Sequence, residues 1–290
     1  LIAWQTINNE LIMILPLLVV FSIPGLCSTQ NIYGEYNEGE SRRALNIYKN
    51  LDELLSFFKN ETNPIAQEVL ETFLTKCQFP DFTKAREDYP AKPVIVIEGN
   101  HKSSRDVVVM GLSQLMNARY VNHPAPCIHK YHKLLPRGSN LRRAYYLLSN
   151  YAGSRYAKSQ LNRPIIINGY WTEQLAFTLT HVYPPGELPP IDSDIFAFPE
   201  DLLRPDLIFY LDFPNKMIYH HVTTKSPLTW KPRMLEVYKH LQLRYPILVK
   251  EMKPLFKLTT EEIHRLIHQH LYEKVFGLRN VTGTVPRVEN

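Results

Sequence analysis

One short stretch has the residue types of a phosphate-binding site: residues 93–107 read Pro-Val-Ile-Val-Ile-Glu-Gly-Asn-His-Lys-Ser-Ser-Arg-Asp-Val. A phosphate loop follows the pattern G-x-x-x-x-G-K-[ST]. Its lysine reaches the terminal phosphates and its hydroxyl group ligates Mg²⁺. Gly99 fits the first glycine, but Ser104, Arg105 and Asp106 occupy the last three positions. The sequence therefore keeps the place of a phosphate site while changing its chemical groups.

Each change weakens phosphate chemistry for a different reason. Ser104 restricts the backbone where a glycine allows close approach to phosphate. Arg105 keeps the positive charge, but its side chain is longer and forked. Asp106 puts a carboxylate where a phosphate would lie, and like charges repel strongly in a partly dry site. His101 and Ser103 remain as side chains that could hydrogen-bond an anion.

Four segments resemble, in the same order, the thymidylate kinase-like family of P-loop nucleoside monophosphate kinases, and most closely its mitochondrial UMP-CMP kinase type. They are Pro93–Gly99, Leu141–Tyr151, Pro164–Trp171 and Phe198–Ile208, and the resemblance extends over residues 92–275. The most specific is the run Pro-Glu-Asp-Leu-Leu-Arg-Pro-Asp-Leu within the last segment. The resemblance implies an α/β P-loop kinase-like fold of three layers, with a five-stranded parallel sheet in the order 2-3-1-4-5.

The chain departs from this family on the acceptor side as well. Asn168-Gly169 stands where the family has an Asp-Arg pair that positions the phosphoryl acceptor and holds substrate phosphate. In the lid, His220 and His221 stand near positions where the family has arginines, and Lys225 is the main remaining cation. Phosphoryl transfer depends on positioned charges, so these losses predict that catalysis is absent.

We therefore expect a catalytically inactive protein that acts as a nucleotide- or protein-binding module and needs no cofactor. No catalytic residue is expected among the degenerate positions Arg105, Asp106 and Asn168. The candidate ligand-binding residues are Gly99, His101, Ser103, Ser104, Arg105, Arg142, Arg143, Tyr170 and Trp171. The last two are aromatic residues that could stack a base or belong to the core.

The alternative is a residually active nucleoside monophosphate kinase acting on dTMP, UMP or CMP with ATP and Mg²⁺. In that case Arg105 replaces the lysine and Asp106 holds the metal. The simultaneous loss of the loop lysine and the Asp-Arg pair favours the inactive protein.

The elements that must position these residues follow from hydrophobic periodicity. The β-branched run Val94–Ile97 is typical of a central strand covered on both faces. Strands are predicted at 94–98, 118–121, 164–168, 206–212 and 246–250. Helices are predicted at 41–59, 63–77, 106–116, 140–161, 171–182, 230–245 and 260–276. The predicted organisation is upstream residues and a signal peptide at 1–28, a helical extension and connector at 29–91, a thymidylate kinase-like domain at 92–278 and a flexible tail at 279–290.

The N-terminal residues predict a secretory protein. The apolar run that follows Met13 resembles a signal-peptide core, and Gly25 and Cys27 suit a cleavage site. Asn60 and Asn280 begin N-glycosylation sequons. After cleavage Cys77 and Cys127 would remain, and they are either one disulfide or ordinary thiols. We expect the chain to be secreted or to stay in the lumen of the secretory pathway. The alternative for the apolar N-terminal run is a short uncleaved anchor.

Composition narrows the classes of partner. With 44% apolar residues the chain can build a sizeable core, and its net charge of +5 comes without a Lys/Arg run or a nucleic-acid motif. No nucleic-acid partner and no membrane span after signal cleavage are expected, and the family resemblance adds a possible homodimer. His264 and His268 are spaced as a zinc-binding pair can be. Further ligands are not evident, so a polar helix face and no metal site are expected.

Overall fold

Five parallel strands form the central sheet of the protein. The structure is a computed structural model that describes residues 6–7, 10–11, 42, 45–81, 92–160, 162–213 and 230–276, with side chains up to Leu271. The strands are β1 Val94–Gly99, β2 Arg119–Asn122, β3 Ile165–Asn168, β4 Leu207–Asp212 and β5 Ile247–Glu251. Their order is β2-β3-β1-β4-β5, with every neighbouring pair parallel. The predicted sheet and strand order are confirmed, and β1 is the central strand.

Seven helices accompany these strands in the described part of the chain. They are α1 Leu51–Asn60, α2 Pro64–Lys76, α3 Lys102–Leu115, α4 Asn140–Lys158, α5 Trp171–Val182, α6 Trp230–Leu241 and α7 Phe256–Phe276. Two short 3-10 helices span His129–Lys133 and Asp194–Phe196. Within these ranges no helix has the length and apolar character needed to cross a bilayer.

The alternation of side chains in β1 divides the interior into two hydrophobic clusters. Val94 and Val96 belong to the larger cluster, which takes in residues of α1, α2, α4, α5 and α6. Ile95 and Ile97 belong to the smaller one, which includes residues of α3 and α7. Both faces of β1 are buried, as its continuous apolar run requires. The result is the predicted three-layer arrangement.

Several predicted helix ends are wrong. The predicted helix 41–59 does not run unbroken, because α1 begins at Leu51, where the Asn50 side chain accepts a hydrogen bond from the Glu53 amide (3.0 Å) and caps it. The helix predicted from residue 106 begins at Lys102, and the one predicted from residue 260 begins at Phe256. The helices predicted to end at residues 161 and 245 end at Lys158 and Leu241.

The two N-terminal helices share the large cluster with the sheet. Leu54, Phe58 and Phe73 are completely buried in it. Cys77, which follows α2, forms a disulfide with Cys127 in the segment after β2, with 5.6 Å between the α-carbons. Residues 37–290 make up one unit, so α1 and α2 belong with the sheet.

Residues 1–36 make up a second unit, which contains a short antiparallel pairing of Thr6–Ile7 with Glu10–Leu11. The predicted cleavage region, the lid positions His220, His221 and Lys225, the sequon at Asn280 and the predicted tail lie outside the described residues.

Candidate functional site

A cleft of about 610 Å³ lies at the carboxyl end of β1, where ligands bind in open parallel sheets. Gly99 and Asn100 line it from the sheet side, and Lys102 and Arg105 line it from α3. The other lining residues come from the start of α4, from α5 and from α6: Arg137, Gly138, Ser139, Arg142, Arg143, Tyr146, Glu173, Gln174, Phe177, His181, Trp230 and Met234. Arginine and lysine side chains outnumber the single carboxylate, so the cleft favours an anion.

The connection from β1 to α3 consists of only Asn100 and His101. Asn100 binds the end of β4: its side-chain amide donates to Asp212 (2.5 Å) and its carbonyl oxygen accepts from the Phe213 amide (2.8 Å). His101 Nδ1 is hydrogen-bonded to the Ser104 hydroxyl across the first helical turn (2.7 Å), and its ring stacks on Phe213. Residues 102–105, which would belong to the loop of a phosphate-binding site, are therefore helical. This explains why α3 begins four residues before the predicted start at residue 106.

Gly99 has a packing role. A β-carbon at this position would lie 2.5 Å from the carbonyl oxygen of Leu211 in β4. Only a glycine fits between the two strands without a shift of the backbone.

Arg105 is engaged inside the protein. Its side chain is 7% exposed, its guanidinium forms an ion pair with Glu173 at the start of α5, and it donates to the Gly99 carbonyl (3.4 Å). Arg105 lines the cleft, but its charge is already paired, so an anionic ligand there would compete with Glu173.

Glu98 organises the region behind Arg105. Its carboxylate is fully buried and accepts hydrogen bonds from the amides of Tyr170 and Glu173 (both 3.0 Å). The hydroxyls of Thr172 and Tyr238 also donate to it (both 2.6 Å). Burial, together with the nearby Glu173 carboxylate, raises the pKa of Glu98 to about 7. Glu98 thus caps the N-terminus of α5, which no side chain of its own caps.

The acceptor-side positions are also occupied by internal contacts. The Asn168 amide donates to Asp106 (2.6 Å) and to the Tyr120 hydroxyl (2.9 Å), and Asp106 pairs with Lys102 (3.0 Å). Gly169 has φ +79°, and a β-carbon there would collide with a Glu173 carboxylate oxygen and lie 3.4 Å from Arg105. The Arg105–Glu173 pair therefore fills the space into which a side chain at position 169 would project.

Three other sequence candidates lie away from the cleft surface. Tyr170 is fully buried and donates through its hydroxyl to the Leu203 carbonyl (3.0 Å). Trp171 is 2% exposed and packs edge-on against Phe198. Ser104 is buried beneath His101. A ligand could reach these three residues only if the core opened, whereas Ser103 is exposed on the first turn of α3.

The two predicted arginines of α4 differ from each other. Arg142 donates to the carbonyls of His132 (2.6 Å) and Leu135 (2.8 Å), so it holds the segment before the helix. Arg143 lines the cleft, and its buried Nε has no hydrogen-bond partner. Arg143 is the predicted residue best placed to receive an anionic ligand.

The sequence reasoning missed Arg137 and one face of α5. Gln174, Phe177 and His181 lie three and four residues apart, and all line the cleft. Phe177 is 43% exposed. The available signal was this polar and aromatic stripe on a helix whose buried face carries Leu175, Ala176 and Leu179.

The residues do not fit a phosphate loop loaded with ATP and Mg²⁺. The position of the magnesium-binding hydroxyl is Asp106, which is held by Lys102 and Asn168. Among the described residues no three His, Cys, Asp or Glu side chains are grouped so as to hold a metal ion.

Part of the chain is similar in sequence to a known kinase. The chain is 31% identical over 122 residues to human mitochondrial UMP-CMP kinase 2. The matched region covers 41% of this chain and 27% of that protein. The chain thus matches about a quarter of the length of this relative. No family model matches.

The fold is similar to that of solved nucleotide and nucleoside kinases. For thymidylate kinase from Candida albicans the TM-score is 0.47 at 14% identity, covering 64% of this chain and 94% of that one. For deoxyadenosine kinase from M. mycoides with bound dATP the TM-score is 0.44 at 17% identity, covering 60% of this chain and 99% of that one. The 31% identity to UMP-CMP kinase 2 confirms the resemblance to P-loop nucleoside monophosphate kinases expected from the sequence.

Proposed function

We propose that this chain is a catalytically inactive relative of the nucleoside monophosphate kinases that binds a nucleotide-like anion in its cleft. The observation that carries the proposal is the start of α3 at Lys102, which leaves two residues where a phosphate loop would be. Arg105, Asp106 and Asn168, which stand at former catalytic positions, are bonded to neighbouring side chains. Catalysis of phosphoryl transfer needs such groups to be free to meet the phosphates.

The cleft retains what binding requires. Its volume of about 610 Å³ is within the usual range of small-molecule sites, about 300–1,000 Å³. Arg143 offers an unpartnered buried nitrogen, while the partly exposed aromatic rings of Phe177 and Trp230 can stack a base. A phosphate near Arg143 and a base near these rings describe a nucleoside monophosphate.

We also propose that the protein works in the secretory pathway or outside the cell. The Cys77–Cys127 disulfide supports this, because disulfides persist mainly in oxidising compartments. Asn60 is exposed at the end of α1, where a glycan could be attached.

Calorimetry and a coupled kinase assay with purified protein test the proposed function. UMP, CMP or dTMP should bind without Mg²⁺, and no ATP-dependent phosphorylation of them should be detected. Arg143→Met should weaken binding about tenfold or more, which corresponds to a lost charge-assisted hydrogen bond. The matched control is Arg119→Met. Arg119 is exposed at the start of β2, at the edge of the sheet away from the cleft.

Two results would contradict the proposal. Turnover of about 1 per second or more, lost in Arg105→Ala, would show an active kinase. A complete lack of nucleotide binding would remove the nucleotide as ligand.

A further inference from the structure

Helix α7 carries two histidines whose ring nitrogens meet. His264 and His268 are one turn apart, and the distance between their Nε2 atoms is 3.0 Å. The ring planes are nearly perpendicular, at 77°. Both side chains are partly exposed, on a different surface from the cleft lining.

This distance suits two ligands of one metal ion. Metal–imidazole bonds of about 2.0–2.1 Å place two ligand nitrogens about 2.9 Å apart at a right angle and about 3.3 Å apart in a tetrahedron. The observed 3.0 Å falls between these values. The separation therefore matches a tetragonal ion such as Cu²⁺ or Ni²⁺ once the rings turn both Nε2 atoms toward it, and Zn²⁺ requires a small opening as well.

The helix holds the pair in place. Ile263 and Ile267 are fully buried on the side of α7 that packs against the sheet and α3. Neighbouring side chains in a packed helix have few alternative rotamers, so little ordering is needed when an ion binds.

A neutral imidazole binds a metal ion through the ring nitrogen that carries no proton. Without metal, one ring donates its Nε2 proton to the Nε2 of the other. When both Nε2 atoms bind an ion, that proton moves to Nδ1 of its own ring.

We propose that His264 and His268 form a bidentate site for a divalent transition-metal ion. Cu²⁺ should bind most tightly, followed by Ni²⁺ and Zn²⁺. No third His, Cys, Asp or Glu in the described residues completes the group. Water, or the same two histidines of a second copy of the chain, would fill the remaining positions.

Calorimetry on the full chain, purified without a histidine tag and stripped of metal, tests this site with Cu²⁺, Ni²⁺ and Zn²⁺. One strong site per chain, or one per two chains, is expected. His264→Gln and His268→Gln should each weaken it at least tenfold. His270→Gln on the same helix and His129→Gln in the other histidine pair are matched controls and should bind as the unmodified chain does.

A second measurement needs no variant. Histidine modification by diethylpyrocarbonate, located by mass spectrometry, should be blocked by Cu²⁺ at His264 and His268 and not at the exposed His270. Equal affinity in all variants, or equal protection of His270, would overturn the proposal.

Discussion

Arg105 stands where the phosphate-loop pattern has its lysine, and its side chain is paired within the protein. At the residue scale, its guanidinium balances Glu173 and lies beside the region that Gly169 leaves open. The charge that a phosphate would have neutralised is thus neutralised within the protein. The pair also places a positive charge close to the buried Glu98 network.

Removing Arg105 should therefore affect stability. Arg105→Met should lower the free energy of unfolding by about 3–5 kcal/mol, because a half-buried carboxylate loses its partner. Lys102→Met, which breaks the exposed pair with Asp106, should lower it by about 1 kcal/mol or less. Urea unfolding measures both. A loss in Arg105→Met no larger than in Lys102→Met would show that the ion pair contributes little, and the double variant Arg105→Met/Glu173→Met should recover part of the loss.

Gly169 offers a second test with a matched control. Gly169→Ala should lower the free energy of unfolding by about 1–3 kcal/mol from backbone conformation alone, with an added loss from the contact with Glu173. Gly186 has the same φ of +79°, and a β-carbon added there would meet nothing within 4 Å. Gly186→Ala should show only the backbone effect, so equal losses in the two variants would contradict the steric argument.

His123 should make the protein sensitive to acid. Burial lowers the pKa of His123 to about 3, and the Arg105 charge lowers it as well. Its Nδ1 is hydrogen-bonded to Ser149 (2.9 Å). As the pH falls below about 6.5, the unfolded chain takes up a proton that the folded chain refuses, and stability present above that pH is lost.

Between pH 7 and pH 5 this contribution amounts to about 2 kcal/mol. His123→Asn, which keeps a polar group near Ser149 without titrating, should remove this part of the pH dependence. Urea unfolding at several pH values measures it, with His129→Asn as an exposed control. Identical slopes for the unmodified chain and His123→Asn would argue against a neutral buried ring.

At the element scale, the strands were predictable and the start of α3 was not. The β-branched run of β1 and the parallel order follow from side-chain patterns that persist whatever the function. The helix start depends on the Ser104–His101 hydrogen bond and the Lys102–Asp106 pair, which a phosphate-loop pattern does not contain. Tyr170 and Trp171 stayed open for a similar reason: a residue after a strand can face the cleft or the core, and here packing places both in the core.

The disulfide joins two elements that the sequence leaves independent. Cys77 and Cys127 are 50 residues apart, and a link across such a loop contributes about 2–4 kcal/mol. Cys77→Ala/Cys127→Ala should lose about this much stability against urea. Reduction of the unmodified chain should reproduce the loss and leave the double variant unchanged, whereas two free thiols in the native protein would contradict the bridge.

At the scale of the whole molecule, the proposed compartment can be tested independently of the ligand. Protein made in a eukaryotic secretory host should carry a glycan at Asn60, because this side chain is exposed at the end of α1. Intact-mass measurement before and after deglycosylation checks this, with Asn60→Gln as control. Unmodified Asn60 in protein retained inside the cells would contradict secretion.

Gly99 lies where the central strand β1 packs closely against β4. Gly99 gives residues 93–107 their likeness to a nucleotide site. A glycine is needed at this position because a β-carbon would collide with the Leu211 carbonyl of the adjacent strand. A glycine at the end of a central strand can thus be needed by the sheet itself, whatever the chemistry of the loop that follows. In a protein with this strand order, such a glycine indicates that two strands approach each other closely. Only the residues after the glycine indicate whether phosphate can bind.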